Sequence, residues 1–283
     1  MRYLLDTITS KAYWQYILFS RSGFESVLAV FGFCYLILEI LDFFKIYTRD
    51  EYGKFAFLVF IGISLIASIV IRRPTRLVTI DVPQRDVQIE VMIGDLFDMN
   101  GAIMISTNTI FESDVAGGKI SPDSLQGQFA GKYFTGNQNV LIELINDQLN
   151  QRNDSAPYPM GATVHVNTHG KSFYFTAMSE LNETGNASSS INDVQLALDG
   201  LWNFVSDSGE LQELCIPVVG TGRGRLKLSR KKTIALIAES FLKASENKKI
   251  GEKLTVVIRP EDAQKFQVNL YDIKDHLVHI LHS

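Results

Sequence analysis

The amino-terminal quarter of the chain contains two long apolar stretches separated by a short polar segment. They run over Phe24–Phe44 and Phe55–Ile71, with Lys45–Lys54 between them. The second stretch carries no charge, and as a helix it would be roughly 26 Å long, close to the hydrocarbon thickness of a bilayer. It is apolar on every face, whereas a helix of a soluble domain has a polar side. The pattern predicts a two-helix transmembrane hairpin within residues 24–76. A buried helix pair in a soluble bundle is the alternative.

Charged residues around the two stretches indicate an orientation. Residues 1–23 form a leader, and two spans after such a leader disfavour a cleaved signal peptide. The second stretch is followed directly by a basic cluster, Arg72, Arg73 and Arg76. Basic residues collect on the cytoplasmic side of a membrane, so the part of the chain after the second stretch is predicted to be cytoplasmic. With two spans, the amino terminus is then predicted to lie on the same side. Glu39 and Asp42, near the end of the first stretch, either mark the membrane surface or face a pore or partner helix.

From residue 77 onward, short strand-like runs alternate with helical periodicity. Apolar and alternating runs predict strands at Val87–Ile93, Ala102–Ser106, Ala162–Thr168, Ser172–Met178, Leu214–Val219 and Leu254–Arg259. Helical spacing predicts helices at Val140–Leu149, Ile191–Val205, Ser229–Ala244 and from residue 260 to the end. The second of these helices is expected to bury Leu196, Leu198, Leu201 and Trp202. Residues 77–283 are therefore expected to form an α/β domain, a three-layer mixed sheet with helices on both faces.

Composition restricts the classes of function. The chain has 27 basic and 31 acidic side chains, and this net charge of -4 argues against a nucleic-acid binder, which normally presents a concentrated basic face. Its two cysteines, Cys34 and Cys215, are too few for a disulfide framework or a zinc cluster. We therefore expect neither nucleic acid nor a metal ion as a partner, and a reducing compartment for the domain.

Two glycine-containing loops follow predicted strands. Gly94-Asp95-Leu96 follows Val87–Ile93, and a denser loop with the sequence GTGRGR, residues 220–225, follows Leu214–Val219. Glycines allow successive backbone N–H groups to approach an anion, and a helix that begins downstream adds its positive end. In α/β sheets, ligands bind beyond the carboxyl ends of the strands. The loops therefore predict a diphosphate site, although a plain turn would also explain the second loop taken alone.

The residues around these loops resemble the macro-domain family. The run GDLFDMNGAIMISTN (Gly94–Asn108) is similar to the opening of that family, and PVVGTGRGR (Pro217–Arg225) is similar to its second phosphate loop. The resemblance implies the macro fold and an ADP-ribose derivative as ligand. It implies that Asp95 binds the adenine amino group beside the Leu96 backbone, and that Asn108 reaches the distal ribose. It also places around the ligand the residues Gly220, Thr221, Gly222, Arg223, Gly224, Arg225 and, at the adenine-stacking position, Arg259.

The sequence departs from the macro-domain pattern where hydrolases of that family position water. Ile105 replaces a usual asparagine, and Ser113–Phe129 replaces a run of glycines. Hydrolysis of an ADP-ribosyl bond needs a group that activates or holds water. His165 and His169 fit surface or structural positions better, and Asp114 and Asp123, which flank the altered loop, are the remaining candidate bases. We expect a receptor with no catalytic residue; a membrane-tethered ADP-ribosyl hydrolase is the alternative.

The whole arrangement resembles the membrane-anchored macro-domain effectors of bacterial Thoeris antiphage systems. Two spans precede the macro-like domain, whose SLQGQF loop (Ser124–Phe129) adds Ser124 and Gly127 to the expected ligand contacts. The resemblance implies a TIR-domain partner enzyme that makes a nucleotide-derived second messenger, such as a histidine adduct of ADP-ribose, and no further cofactor. Binding is expected to cause homo-oligomerisation and disruption of membrane lipid in the bacterial inner membrane. We also expect Ser113–Gly136 to close over the ligand.

Overall fold

The chain divides into two compact units, which we describe in turn. The first comprises Met1–Arg76 and Glu261–Asp275, and the second comprises Leu77–Pro260 and His276–Ser283. The structure is a computed structural model, and it describes residues 7–46, 49–83, 85–181, 187–208, 213–219 and 228–281. Residues 261–275 thus group with the amino-terminal helices and not with the sheet.

The first unit is helical. Its amino-terminal helices are α1 (Lys11–Phe19), α2 (Arg21–Phe43) and α3 (Arg49–Ile71). Both predicted apolar stretches are therefore helical. Among the described helices, α2 has the length and composition needed to cross a membrane, whereas the apolar part of α3 is the shorter segment Phe55–Ile71. Membrane crossing by the second stretch stays a prediction.

A small hydrophobic cluster in the first unit connects α1 with α3 and with a carboxyl-terminal helix. Tyr13, Tyr16 and Ile17 of α1 are buried and pack with Ile69 of α3 and Tyr271. Tyr271 belongs to α9 (Leu270–Leu281), which follows the short helix α8 (Pro260–Lys265). The contact connects segments far apart in the sequence and explains why residues 261–275 group with this unit.

The second unit is built on a mixed sheet. Its strands are β1 (Leu77–Val82), β2 (Val87–Ile93), β3 (Ala102–Asn108), β4 (Thr163–Thr168), β5 (Lys171–Leu181), β6 (Ala187–Ser188), β7 (Leu214–Pro217) and β8 (Lys253–Ile258). The order in the sheet is β1-β2-β8-β7-β3-β5-β4, and β6 pairs with β5. In this order, the five successive strands β2, β8, β7, β3 and β5 pair in parallel. The outer strands β1 and β4 pair antiparallel with β2 and β5. The carboxyl ends of five parallel strands therefore lie at one edge of the sheet.

Helices cover both faces of this sheet. The remaining helices are α4 (Leu125–Tyr133), α5 (Gln138–Leu149), α6 (Ile191–Ser208) and α7 (Arg230–Ser245). Phe129 of α4 is fully buried, and its ring centroid lies 4.7 Å from Phe173 and 5.0 Å from Phe175 on one face. On the other face, Tyr174 contacts Phe204 of α6 at 5.8 Å. Successive strand residues point to opposite faces, so these contacts define three layers.

The predicted α/β architecture is confirmed, with corrections to individual elements. The strand at Val87–Ile93 has the predicted bounds, and the hairpin of β4 and β5 is confirmed. Four elements, α1, β1, α4 and the short strand β6, were not predicted from the sequence. The prediction that Leu196 is buried is wrong: it is 48% exposed, because the inner face of α6 is formed by Val194, Ala197, Leu198, Leu201, Trp202 and Val205.

Candidate functional site

The two predicted binding positions Asp95 and Arg259 follow neighbouring strands. β2 and β8 are parallel, with Ile93 opposite Ile258 in the register. The backbone N–H of Gly94 donates a 3.0 Å hydrogen bond to the carbonyl of Ile258. The chain therefore leaves both strands at the same edge of the sheet, and the residues that come next, Asp95 and Arg259, are both exposed there.

Asp95 organises the turn that follows β2. Its carboxylate accepts a 2.9 Å hydrogen bond from the N–H of Phe97 and caps a short 3-10 helix, Leu96–Asp98. The Leu96 side chain is buried, which leaves its backbone as the part that a base could contact. At the far end of this helix, Lys171 donates to the carbonyls of Phe97 and Met99 at 2.6 and 2.8 Å. The turn is therefore fixed at both ends.

Asn108 ends β3 and holds the next turn. The side chain is buried, and its carbonyl oxygen accepts hydrogen bonds from the N–H groups of Ile110 and Glu112, each 3.1 Å long. Phe111, between them, has a positive φ of 52° and is also buried. An asparagine side chain carries two amino hydrogens besides this oxygen, so Nδ2 is the part that could donate to a ligand.

Side chains after Asn108 hold the beginning of the segment that was expected to close over the ligand. Glu112 accepts from the N–H groups of Ser113 and Asp114, both at 3.1 Å, and pairs with Lys119 at 3.0 Å. Asp114 accepts from the N–H of Gly117 at 2.6 Å. Carboxylates that cap backbone N–H groups were not distinguishable in the sequence from candidate bases. Both are engaged in holding the loop.

Gln126 connects this loop to β3 and α4. It is buried, its Nε2 donates to the carbonyl of Glu112 at 2.8 Å, and its Oε1 accepts from the Thr107 hydroxyl at 3.1 Å. Thr107 precedes Asn108, so the network fixes the strand end that presents Asn108. Gln126 was not predicted from the sequence. The only sign of its role there is that it lies three residues before Phe129, in a segment with few other apolar residues.

Ser124 and Gly127 begin α4. The Ser124 hydroxyl accepts from the Gly127 N–H at 3.0 Å and donates to the Ser121 carbonyl at 2.6 Å, which makes it the helix N-cap. A Cβ added at Gly127 would collide with the Ser121 carbonyl and lie 2.8 Å from Pro122 Cα. Both residues thus have a structural role in the chain itself, and their contact with a ligand stays a prediction.

The glycine loop predicted to hold the diphosphate lies outside the described residues, which omit Gly220, Thr221, Gly222, Arg223, Gly224 and Arg225. Its flanks are described. Val219 follows β7, whose parallel neighbours are β3 and β8, and Ser229 caps the N-terminus of α7. The segment therefore starts at the strand edge where β2 and β3 also end, and it is followed by the N-terminus of a 16-residue helix.

Other candidate chemistry lies elsewhere in the unit. His165 lies on β4, the outermost strand of the sheet, and its ring centroid is 4.9 Å from that of Tyr174. His169 lies in the turn before β5, at the amino end of that strand and therefore away from the carboxyl ends that carry the candidate site. Burial, and then the charge of Glu213, raise the pKa of the Cys215 thiol to about 12, so this cysteine is a packed core residue. No group of three or more His, Cys, Asp or Glu side chains within the described ranges is arranged to hold a metal ion.

The fold is that of a macro-domain protein. The structure is similar to a Gly-to-Val mutant of the Oceanobacillus iheyensis macrodomain solved with ADPR, with a TM-score of 0.50 and 14% identity, over 72% of this chain and 98% of that one. At this identity the likeness establishes the fold. Residues 89–259 match the family described as Thoeris protein ThsA, Macro domain. Thoeris protein ThsA from Bacillus amyloliquefaciens (strain Y2) is 22% identical over 236 residues, 77% of each chain. The chain belongs to the ThsA macro-domain family of Thoeris antiphage defence proteins.

Proposed function

We propose that the protein is a membrane effector of antiphage defence whose macro unit binds an ADP-ribose-derived signal. The observation that carries the proposal is that Asp95 follows β2, Val219 follows β7 and Asn108 ends β3, and the carboxyl ends of these strands lie at one edge of a parallel sheet. A macrodomain of the same fold was solved with ADPR. An extended nucleotide with an adenine, a diphosphate and a distal ribose would meet these positions in turn.

The described residues favour recognition over hydrolysis. Glu112 and Asp114, the carboxylates that follow Asn108, accept backbone N–H groups, and Glu112 also pairs with Lys119. The Asp95 carboxylate accepts from the Phe97 N–H and is exposed, and its remaining lone pairs can accept a hydrogen bond from an adenine amino group. These groups would orient a ligand without activating water.

A membrane location is supported by the first unit. α2 and α3 expose large apolar side chains that a soluble surface would not present, among them Phe33, Leu58 and Ile66, each more than 60% exposed. The basic residues Arg72 and Arg73 follow α3, in agreement with a cytoplasmic macro unit beneath a bacterial inner membrane. We propose that both helices cross the bilayer.

Signal binding would act by a shift between resting and assembled states. A ligand biases this equilibrium tenfold only when it binds the assembled state by ~1.4 kcal/mol more tightly. We propose that a TIR-domain partner supplies the signal, such as a histidine adduct of ADP-ribose, and that assembly of several copies disrupts the membrane. Because Phe129 fixes α4 in the core, a closing element would have to be limited to Ser113–Asp123.

A cell-based experiment tests the proposal. The chain is expressed with a TIR-domain signal producer, and growth and membrane permeability are followed after infection. The native chain should permeabilise the membrane only when signal is made, whereas Asp95→Ala and Gly222→Val variants should insert normally and stay inactive. Permeabilisation by both variants would contradict the site. Turnover of an ADP-ribosylated substrate by the purified chain would instead identify a hydrolase.

A further inference from the structure

The outward face of α1 has the wrong composition for contact with water. Ile8, Trp14 and Leu18 are each between 38% and 39% exposed, and Phe19 is 81% exposed. These four residues lie in α1 and in the short helical turn that precedes it. Large apolar side chains of this kind are normally buried in a soluble protein. Lys11 and Gln15 are exposed on the same face.

The inward face of α1 carries the polar-tipped residues. The Tyr13 hydroxyl donates to the Arg72 carbonyl at 3.3 Å, and the Tyr16 hydroxyl donates to Asp275 Oδ2 at 2.6 Å. Burial and the bond to Asp275 raise the pKa of Tyr16, so its hydroxyl proton is held. The helix is thus anchored by its inner face, and the orientation of Trp14 and Leu18 away from the unit is fixed by these bonds.

The junction between α1 and α2 places α1 at the end of the candidate membrane helix. Ser20 ends α1 and caps α2 in an extended conformation, and its hydroxyl accepts from the Gly23 N–H at 2.9 Å. A Cβ at Gly23 would collide with the carbonyls of Tyr16 and Ile17. This close approach means that the chain bends sharply at Ser20 and does not continue α1 along the α2 axis.

We propose that α1 is an interfacial helix that lies in the lipid–water boundary, with the face formed by Trp14, Leu18 and Phe19 in the acyl region. The inference rests on the proposed membrane location of α2. An apolar face of this kind inserts ~5–10 Å into the headgroup boundary, tryptophan favours that depth, and a nearby lysine such as Lys11 contacts anionic headgroups. The occupant of the face is lipid, because the exposed apolar surface of α1 is followed in the chain by that of α2, beginning with Phe24, which is 55% exposed.

The tryptophan content permits a direct test on the full chain. The chain has two tryptophans, and Trp202 is 1% exposed in the α/β core, so lipid-borne quenchers can reach Trp14 alone. The chain is reconstituted in phosphatidylethanolamine–phosphatidylglycerol vesicles that contain lipids brominated near the headgroup end or near the methyl end of the acyl chains. We expect loss of most Trp14 emission with shallow bromines and a smaller loss with deep ones. The Trp14→Phe variant, changed at an exposed position, should lose this response while Trp202 still emits.

Two results would overturn the inference. Trp14 emission that neither bromine position quenches, in a chain that resists alkaline extraction from the vesicles, would show that α1 is outside the lipid although the membrane location of the chain holds. If Trp14 of the native chain is not quenched and two copies of a Trp14→Cys variant cross-link through the new cysteine, the face belongs to a second copy. Extraction of the native chain at alkaline pH would show that the proposed membrane location itself has failed, and the inference with it.

Discussion

The first turn of α4 provides the sharpest test of how the candidate site is held. Gly127 approaches the backbone of Ser121 and Pro122 so closely that a Cβ would lie 2.8 Å from Pro122 Cα, where ordinary contact begins at 3.4 Å. A Gly127→Ala variant must therefore separate the two backbone segments by at least about 0.6 Å, the difference between those two distances, and by more at the Ser121 carbonyl oxygen, which lies closer still. Overpacking of this kind costs ~1–3 kcal/mol, and the better helix propensity of alanine returns ~0.5–1 kcal/mol.

The net expectation for Gly127→Ala is a loss of up to ~2.5 kcal/mol in the free energy of unfolding of the α/β unit. For a unit of this size that corresponds to a fall of up to ~10 °C in Tm. The matched control is Gly131→Ala in the same helix, where a Cβ meets no atom within 4 Å. That variant should gain up to ~1 kcal/mol because helix propensity is its main effect.

Thermal unfolding followed by Trp202 emission measures both variants, in the full chain with Trp14→Phe so that one tryptophan reports. Displacement of the α4 N-terminus also moves Gln126, which bonds Thr107 and the Glu112 carbonyl, so Gly127→Ala should weaken ligand binding as well. Equal stability of the Gly127→Ala and Gly131→Ala variants would refute the steric reasoning. Lost ligand binding without lost stability would show instead that Gly127 contacts the ligand.

Three further predictions follow from single residues. Asp95→Ala should weaken ADP-ribose binding about tenfold, ~1.4 kcal/mol, and Asp95→Asn should weaken it less, since asparagine also caps a helix. Equal affinities of the native chain and the alanine variant, measured by calorimetry, would argue against a contact between Asp95 and the ligand. In the folded chain the pKa of Cys215 is raised to about 12. The free energy of unfolding should therefore be unaffected by this thiol below its ordinary pKa of ~8.5, and should fall as pH rises from there towards 12, because the unfolded chain loses the proton first. Urea unfolding at pH 7.5 and 10.5 should show this loss, reduced in Cys215→Ala; an identical loss in that variant would exclude the thiol as its source. Tyr16→Phe should lower the stability of the helical unit by about 1 kcal/mol, seen as a lower midpoint by circular dichroism in detergent, and an unchanged midpoint would show that the bond to Asp275 contributes nothing.

The sequence predicted the elements whose apolar spacing is regular. β2 alternates cleanly and has the expected bounds, and α7 begins after Ser229, as its N-cap chemistry requires. α4 was missed because LQGQFAGKY contains two glycines and few apolar positions, so local propensity argues against a helix. It forms because Phe129 packs among Phe173, Phe175 and Phe97, contacts that exist only after the strands assemble.

The positions of the strand ends were predictable from the sequence, whereas the side chains that support them were not. Asp95, Asn108 and Arg259 lie at the carboxyl ends of strands or directly after them, and parallel pairing brings those ends to one edge of the sheet. The roles of Glu112 and Gln126 depend on hydrogen bonds to backbone groups whose position is set by the fold of the loop. A residue type and its spacing do not reveal such bonds.

The central claim is that the macro unit binds an ADP-ribose derivative at the carboxyl edge of its parallel strands. Calorimetric titration of the full chain in detergent micelles with ADP-ribose, its histidine adduct and NAD tests it most directly. We predict saturable binding of one ligand per chain, tightest for an ADP-ribose derivative and lost in the Asp95→Ala variant. A folded chain that gives no binding with any of the three, or binding that Asp95→Ala leaves unchanged, would contradict the claim.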